Sequence, residues 1–343
     1  MDKRVVFAVA GSGKTKLIID ALSLDKKALV ITYTVDNTCN LESRIKDKFG
    51  CIPPSITLMT YFTFLYSFCY MPFYALSSKS TGICWDSASI KNTPPQTDKS
   101  SHFFTRGRLI YHNRIAKYLR QFNRLDDVNS RIEKYFDEIF IDEIQDFASY
   151  DFGLIEHVCS VNRDITLVGD FHQHTFDTSR DGNYKKNLHK EYSEYLKSFE
   201  SMGLVVDTTT LLKSHRCAPE VCSFISERMA IDIESHREDS VDILLIEDPQ
   251  EVLDLADNDD VVKLFFRNSS KYRCNAKNWG KSKGENQYQD ICVVLNGTAG
   301  TAFMKEGAMQ LAESTRNKLY VACTRARGNI YFVHENLLKT RKI

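Results

Sequence analysis

The sequence predicts an α/β fold with parallel sheets in two domains, and three observations carry that prediction. A short β-type run, Val5-Val6-Phe7, enters Ala8-Val9-Ala10-Gly11-Ser12-Gly13-Lys14-Thr15 and leaves it as a helix over 16–22. Further apolar strands at 28–34, 136–142 and 165–170 alternate with helical segments. The chain has 343 residues, enough for two domains at about 150 residues each. Strands that alternate with helices form parallel sheets, and such sheets bind ligands at the carboxyl ends of their strands.

The loop at 8–15 has the form of a Walker A phosphate loop. Gly11 and Gly13 let successive N–H groups turn inward towards phosphate oxygens, where a Cβ would crowd the ligand. The backbone of Ala10, Gly11, Ser12 and Gly13 cradles the phosphates, and Lys14 adds a point charge for the β- and γ-groups. Thr15 is placed to hold Mg²⁺. The helix that follows aims its positive end at the same anion. ATP with Mg²⁺ is therefore the expected cofactor pair. A glycine-serine linker is the plain alternative, and the strand before and helix after argue against it.

The next elements follow in order. Residues 28–34 read as a strand, and Asn40 to Ile45 belong to a helix. From Cys51 to Ser78 there is no charged residue. Pro53, Pro54 and Pro72 interrupt that run, so it is read as a buried strand and core helix, not a membrane span. Residues 77–101, with Pro94-Pro95, read as a loop, and Arg114 to Arg120 as a short helix. Ile139-Phe140-Ile141-Asp142-Glu143-Ile144-Gln145-Asp146 is a strand ending in acids, the form of a Walker B motif. Asp142 suits the Mg²⁺ hydration shell, and Glu143 suits the orientation and deprotonation of an attacking water. A second domain is expected from 204, with strands at 241–246, 261–266, 291–295 and 329–333. A helix starts at Asp248-Pro249-Gln250-Glu251, with a capping Asp and Pro at the first helical position.

Composition narrows the function classes. Lys plus Arg and Asp plus Glu both number 45, so the net charge is zero and no global basic field advertises a passive nucleic-acid binder. Hydrophobic residues at 43% and charged residues at 26% describe an ordinary globular chain. Ten cysteines lack any Cys-x-x-Cys pair. With no secretory leader read at the start, free thiols in a reducing cytoplasm are expected. His172-Gln173-His174 lacks the companions of a metal site and is set aside as one.

The ordered motifs resemble those of superfamily 1 helicases of the UvrD/Rep type along nearly the whole chain. After the phosphate loop, Thr32 to Asn37 and Leu41 to Ile45 resemble motif Ia. Thr60-Tyr61-Phe62-Thr63-Phe64 resembles motif Ib, with Phe62 where the family usually has His. Asp142 to Asp146 resembles motif II and Val168 to Phe176 motif III. Lys213 to Pro219 resembles motif IV, Lys281 to Gly284 motif V, and Leu319 to Arg327 motif VI.

The resemblance implies two RecA-like parallel-sheet domains, 1–203 and 204–343, with a small insertion at about 77–132. It implies that ATP is hydrolysed between them. Lys14, Thr15, Asp142 and Glu143 come from the first domain. Gln173 reads the γ-phosphate, Arg216 and Arg325 act as arginine fingers, and Arg327 supports the fold. Tyr33 and Phe176 match base-stacking positions, and Thr34, Thr60, Ser282 and Lys283 match phosphate-binding ones. Each arginine has the plain alternative of a surface salt bridge, and each aromatic that of a core ring.

Three departures from the family pattern stand out. The expected adenine-reading helix upstream of the phosphate loop has no room, so poor discrimination among ATP, GTP and CTP is expected. Only about 65 residues separate motifs IV and V, too few for the large second-domain insertion of relatives. After motif V, Glu285-Asn286-Gln287-Tyr288 differs from the usual Leu-Glu-Phe. The expected activity is an ATP-dependent translocase or helicase on single-stranded DNA or a partial duplex, moving 3′ to 5′. The alternative is a nucleotide-gated clamp that signals to a protein partner such as a nuclease or a replication or repair factor. RNA as the strand stays open.

Overall fold

The computed structural model describes residues 1–86, 99–178, 183–285, 287–297, 300, 303 and 311–343. Pro94-Pro95 and Asn286, singled out above, lie outside the described residues. By contacts the chain divides into two units. One comprises Met1–Val6, Thr15–Gly169 and Phe176–Asp207, and the other Phe7–Lys14, Asp170–Thr175 and Thr208–Ile343.

The first unit is organised by a six-stranded sheet. Its strands are β1 (Lys3–Ala8), β2 (Ala28–Thr32), β3 (Ile56–Thr60), β6 (Glu138–Ile141), β7 (Asp164–Gly169) and β8 (Val205–Leu211), in the order β3-β2-β6-β7-β1-β8. The pairs β2–β3, β2–β6 and β6–β7 are parallel. Every residue of β2 and β6 is buried, as expected of a strand covered on both faces. Beside this sheet, β4 (Gly82–Cys84) and β5 (Leu109–Tyr111) form a separate parallel pair.

Capping explains where strands yield to helices. β2 stops at Thr32, short of the expected 34, because Thr34 caps the helix Val35–Phe49 by accepting from Asn37 N (3.1 Å). That helix ends on Gly50 at φ +78°, a left-handed position suited to glycine. The uncharged run resolves into β3 and a continuous helical stretch over 61–78, whose middle, Phe64–Tyr70, is π-helical. The Met71 N–H there donates to Tyr66 O, five residues back. Pro72 has no N–H to donate, and widening to the π form shifts the ladder past it. Phe64, Leu65, Phe68, Cys69 and Tyr70 are buried, so the π-helical part is core as expected, whereas β3 is mostly half-buried and Met71 and Leu76 are exposed. No helix among the described residues is long and apolar enough to cross a membrane.

The second unit is built on a five-stranded sheet. Its strands β11 (Ile243–Ile246), β12 (Val262–Phe265), β13 (Ala276–Asn278), β14 (Ile291–Leu295) and β15 (Ile330–His334) run in the order β11-β15-β14-β12-β13, every pair parallel. Before it, β9 (Lys213–Ser214) pairs in parallel with β10 (Glu234–Ser235). Side chains alternate between two cores, with Ile291, Val293 and Leu295 in one and Cys292 and Val294 in the other. That alternation is what a period-2 strand buried on both faces requires. Asp248 caps the helix Pro249–Asp257 by accepting from Gln250 N and Glu251 N, with Pro at its first turn, as the sequence predicts. All ten cysteines are free thiols. The expected α/β class with two parallel-sheet assemblies is borne out.

Candidate nucleotide and nucleic-acid site

The phosphate loop curls through two left-handed glycines, Gly11 at φ +74° and Gly13 at φ +100°. The helix Lys14–Ala21 starts at the lysine itself, two residues earlier than expected. Ser12 Oγ donates to Val9 O (2.8 Å), which tightens the turn. Gly11 is also required by crowding. A Cβ there would lie 2.7 Å from Arg216 Cβ and 2.8 Å from Ser214 Oγ. His215 N donates to Gly11 O (2.9 Å), so the segment that resembles motif IV lies directly against the loop.

Tyr320 and Asp170 join this network, and reading motifs one by one misses both. Ala10 N donates to Tyr320 Oη (2.9 Å), and Tyr320 in turn donates to Asp170 Oδ2 (3.1 Å). The same carboxylate accepts from Gln173 Nε2 (2.7 Å) and, through Oδ1, from His172 N (3.1 Å). Gln173 is thereby oriented by a charge-assisted bond. Tyr320 is fully buried, and that burial, with Asp170 beside it, holds its phenol well above the ordinary range. The only signal in the sequence was the presence of both residues inside recognised strings.

The two arginines differ. Arg216 is half-buried, and its guanidinium donates to Thr324 O (3.0 Å). Burial, with Arg327 nearby, lowers its pKa from the usual value. Arg325 is only 2% exposed. It donates to Val321 O (3.0 Å), Glu285 O (3.2 Å) and Thr324 Oγ1 (3.5 Å). Those bonds tie down the end of the helix Glu313–Cys323. Here the residue expected as a finger packs against and positions that helix end. Beyond motif V, Glu285 accepts from Lys277 Nζ and Tyr288 Oη, so that acid is engaged within its own unit.

The acids of the Walker B segment end β6. Asp142 and Glu143 are 3% and 8% exposed. Glu143 N donates to Asp142 Oδ1 (2.9 Å), and Gln145 Nε2 donates to Glu143 Oε2. Glu143 stands at φ +56°. For a residue with a Cβ this costs about 1 kcal/mol, and it marks a carboxylate held in one orientation. A Cβ on Gly169 would come within 2.5 Å of Gln145 Oε1, so the glycine ending β7 makes room for the residue that orients Glu143. The hard oxygens of Thr15 and Asp142 are the donor type Mg²⁺ takes. They fit the ion.

Aromatic rings line the strand ends of the first unit. Tyr33 lies 5.3 Å from Phe176 and 6.0 Å from Phe62, centroid to centroid. Burial, with Asp151 and Asp146 nearby, pushes the Tyr33 phenol up to about 12, so the ring is neutral. Thr34 and Thr60 use their hydroxyl oxygens as caps, Thr60 accepting from Thr63 N (3.1 Å). Capping occupies a lone pair and leaves the O–H able to donate. Ser282 departs from expectation. It is fully buried, and its hydroxyl donates to Trp279 O (2.7 Å), closing the turn Trp279–Ser282. The hydroxyl expected on a phosphate is engaged here in that turn-closing bond. Lys283, the next residue, is partly exposed.

Comparison with known proteins agrees with this build. Residues 99–190 match the UvrD/REP helicase N-terminal domain. Among solved structures, the arterivirus nonstructural protein 10 helicase is similar over 98% of this chain, with 14% identity and a TM-score of 0.52. A second structure of that arterivirus protein, in complex with DNA, gives the same identity and TM-score over 98% of this chain. The chain spans 62% and 63% of the length of those two chains. Sequence comparison with curated proteins gives no match. At that identity the structural likeness speaks for the fold alone, and the family match is confined to its segment. Over residues 99–190 the chain is similar to the UvrD/REP helicases.

Proposed function

We propose that the chain is an ATP-driven motor that translocates 3′ to 5′ on single-stranded DNA and unwinds partial duplexes. The phosphate loop carries this reading, with two left-handed glycines between an apolar strand and the helix that starts at Lys14. Backbone N–H groups from Ala10 to Thr15 and the Lys14 ammonium bind the nucleotide phosphates. Thr15 and Asp142 hold Mg²⁺, which when bound neutralises charge on the phosphates. Glu143, oriented by Gln145, takes the proton of the attacking water. Gln173, held by Asp170, senses the γ-phosphate. Arg216 faces the charge that develops in transfer, and Arg325 keeps in place the helix end to which Arg216 is bonded.

At the strand ends of the first unit Tyr33 and Phe176 stack bases and Thr34 and Thr60 contact phosphates; in the second unit Lys283 contacts phosphate. The test is ATP hydrolysis by the chain alone, with and without single-stranded DNA or RNA of the same sequence, beside a strand-displacement assay. Hydrolysis stimulated by DNA, with displacement, is the expected result. Unstimulated hydrolysis would end the motor reading. Equal stimulation by RNA would widen the substrate, and ATP-dependent binding without displacement would favour the clamp.

A further inference from the structure

The row of rings in the first unit does not stop at the residues that resemble family positions. Phe62 meets Trp85 edge to face (4.9 Å, 77°), and Trp85 stacks on His112 (5.3 Å, 23°). Phe62 also meets His112 at 5.9 Å. Phe176, Tyr33, Phe62, Trp85 and His112 therefore form one sequence of rings. Its members share a topological position. Tyr33 lies one residue past β2, Phe62 two past β3, Trp85 one past β4 and His112 one past β5. Carboxyl ends of parallel strands are where this class of sheet meets its ligands.

We infer that Trp85, backed by His112, is a further stacking platform for an unpaired nucleobase, extending the nucleic-acid site onto the β4–β5 pair. This rests on the nucleic-acid reading above. Three features support it. Trp85 is 56% exposed although it is the largest ring in the row. An indole left this open offers a wide π-face to a flat ligand. The ring is also held before any ligand arrives, because His112 Nδ1 donates to Cys84 O (3.2 Å) and stitches the two strand ends together. A platform already ordered loses little side-chain entropy on binding. Finally, burial lowers the His112 pKa, so at neutral pH the pair is an uncharged stacking surface rather than a phosphate-binding cation. The hydroxyls of Thr34, Thr60 and Thr63 accompany the row, in keeping with a ligand that has both bases and phosphates.

The chain carries its own probe. It has two tryptophans, and Trp279 is 2% exposed with its indole N–H donated to Leu264 O (2.7 Å). Emission that responds to an added strand therefore reports Trp85. The experiment titrates the full chain with end-labelled oligothymidylate of about ten nucleotides. It follows the anisotropy of the label and the tryptophan emission together. Wild type should bind with quenched emission. Trp85→Ala should lose the quench and bind roughly 5- to 150-fold more weakly, the range for one stacked base. Trp85→Phe, which keeps a ring, should bind within about threefold of wild type.

Binding with unchanged emission, and unchanged affinity in Trp85→Ala, would overturn the platform and leave the nucleic-acid reading intact. No anisotropy change with wild type would remove both. Should Trp85→Ala melt early, the wild-type quench and the Trp85→Phe affinity decide.

Discussion

The strand ends of the first sheet and the charged groups of the second unit are held by different kinds of bond. In the first unit the holding is local. Thr34 is bonded to Asn37, Thr60 to Thr63, Glu143 to Asp142 and to Gln145. In the second unit Arg216 is bonded to Thr324, 108 positions away, and Tyr320 to Asp170 at a separation of 150. Local bonds place a group as soon as its strand is formed. Distant ones place it only when the whole unit is folded, so chemistry and stability become entangled there. A substitution at a strand end of the first sheet should cost function alone. One in the second unit should cost function or stability, according to how many distant bonds it removes.

The largest effect expected sets Arg216 against Arg325. Arg216→Ala should lower kcat on the order of a thousandfold with little change in KM and a modest shift in melting temperature. Arg325→Ala should instead lower stability by about 2–4 kcal/mol, because buried acceptors lose their donor. Steady-state kinetics and thermal melts on both variants check this. An Arg325→Ala protein that melts like wild type yet fails to turn over would break the distinction.

Next in size is Glu143→Gln. It should retain nucleotide binding and lose hydrolysis by about a hundredfold or more, whereas Lys14→Ala should fail to bind nucleotide. Equilibrium binding of a fluorescent nucleotide beside phosphate release separates the two. Melting temperature should stay near wild type for Glu143→Gln, as a locally held group requires.

The smallest effect is a pH dependence in the second unit. Burial, with Arg316 nearby, pulls His172 from 6.5 down to about 4. The folded protein resists a proton that the unfolded chain accepts below about 6.5. Stability is therefore full above that pH and falls as the pH drops towards 4. Between pH 7 and 5 the loss should be about 1–2 kcal/mol, read as a lower denaturation midpoint. His172→Phe should remove that part of the slope, and an unchanged slope would reassign it.

The same division explains what was legible in the residues alone. Strands β2, β6, β7 and β14 were readable because parallel strands buried on both faces are unbroken apolar runs. The Asp248 cap and the phosphate-loop turns were readable because their partners lie within three residues. The inward turn of Ser282 was not, since the burial of its hydroxyl depends on how Trp279 packs. Nor was the burial of Arg325, whose acceptor Glu285 lies 40 positions away. Trp85 and His112 carried no signal, because only the pairing of β4 with β5 brings them together.

The bond from Ala10 to Tyr320 spans 310 positions, and that separation has a consequence in time. At about 5–20 residues per second, synthesis takes roughly 15–60 s to pass from one to the other. The phosphate loop is therefore made well before it can gain all its partners. Throughout that interval the ribosome carries a nascent chain whose phosphate loop lacks its tyrosine anchor.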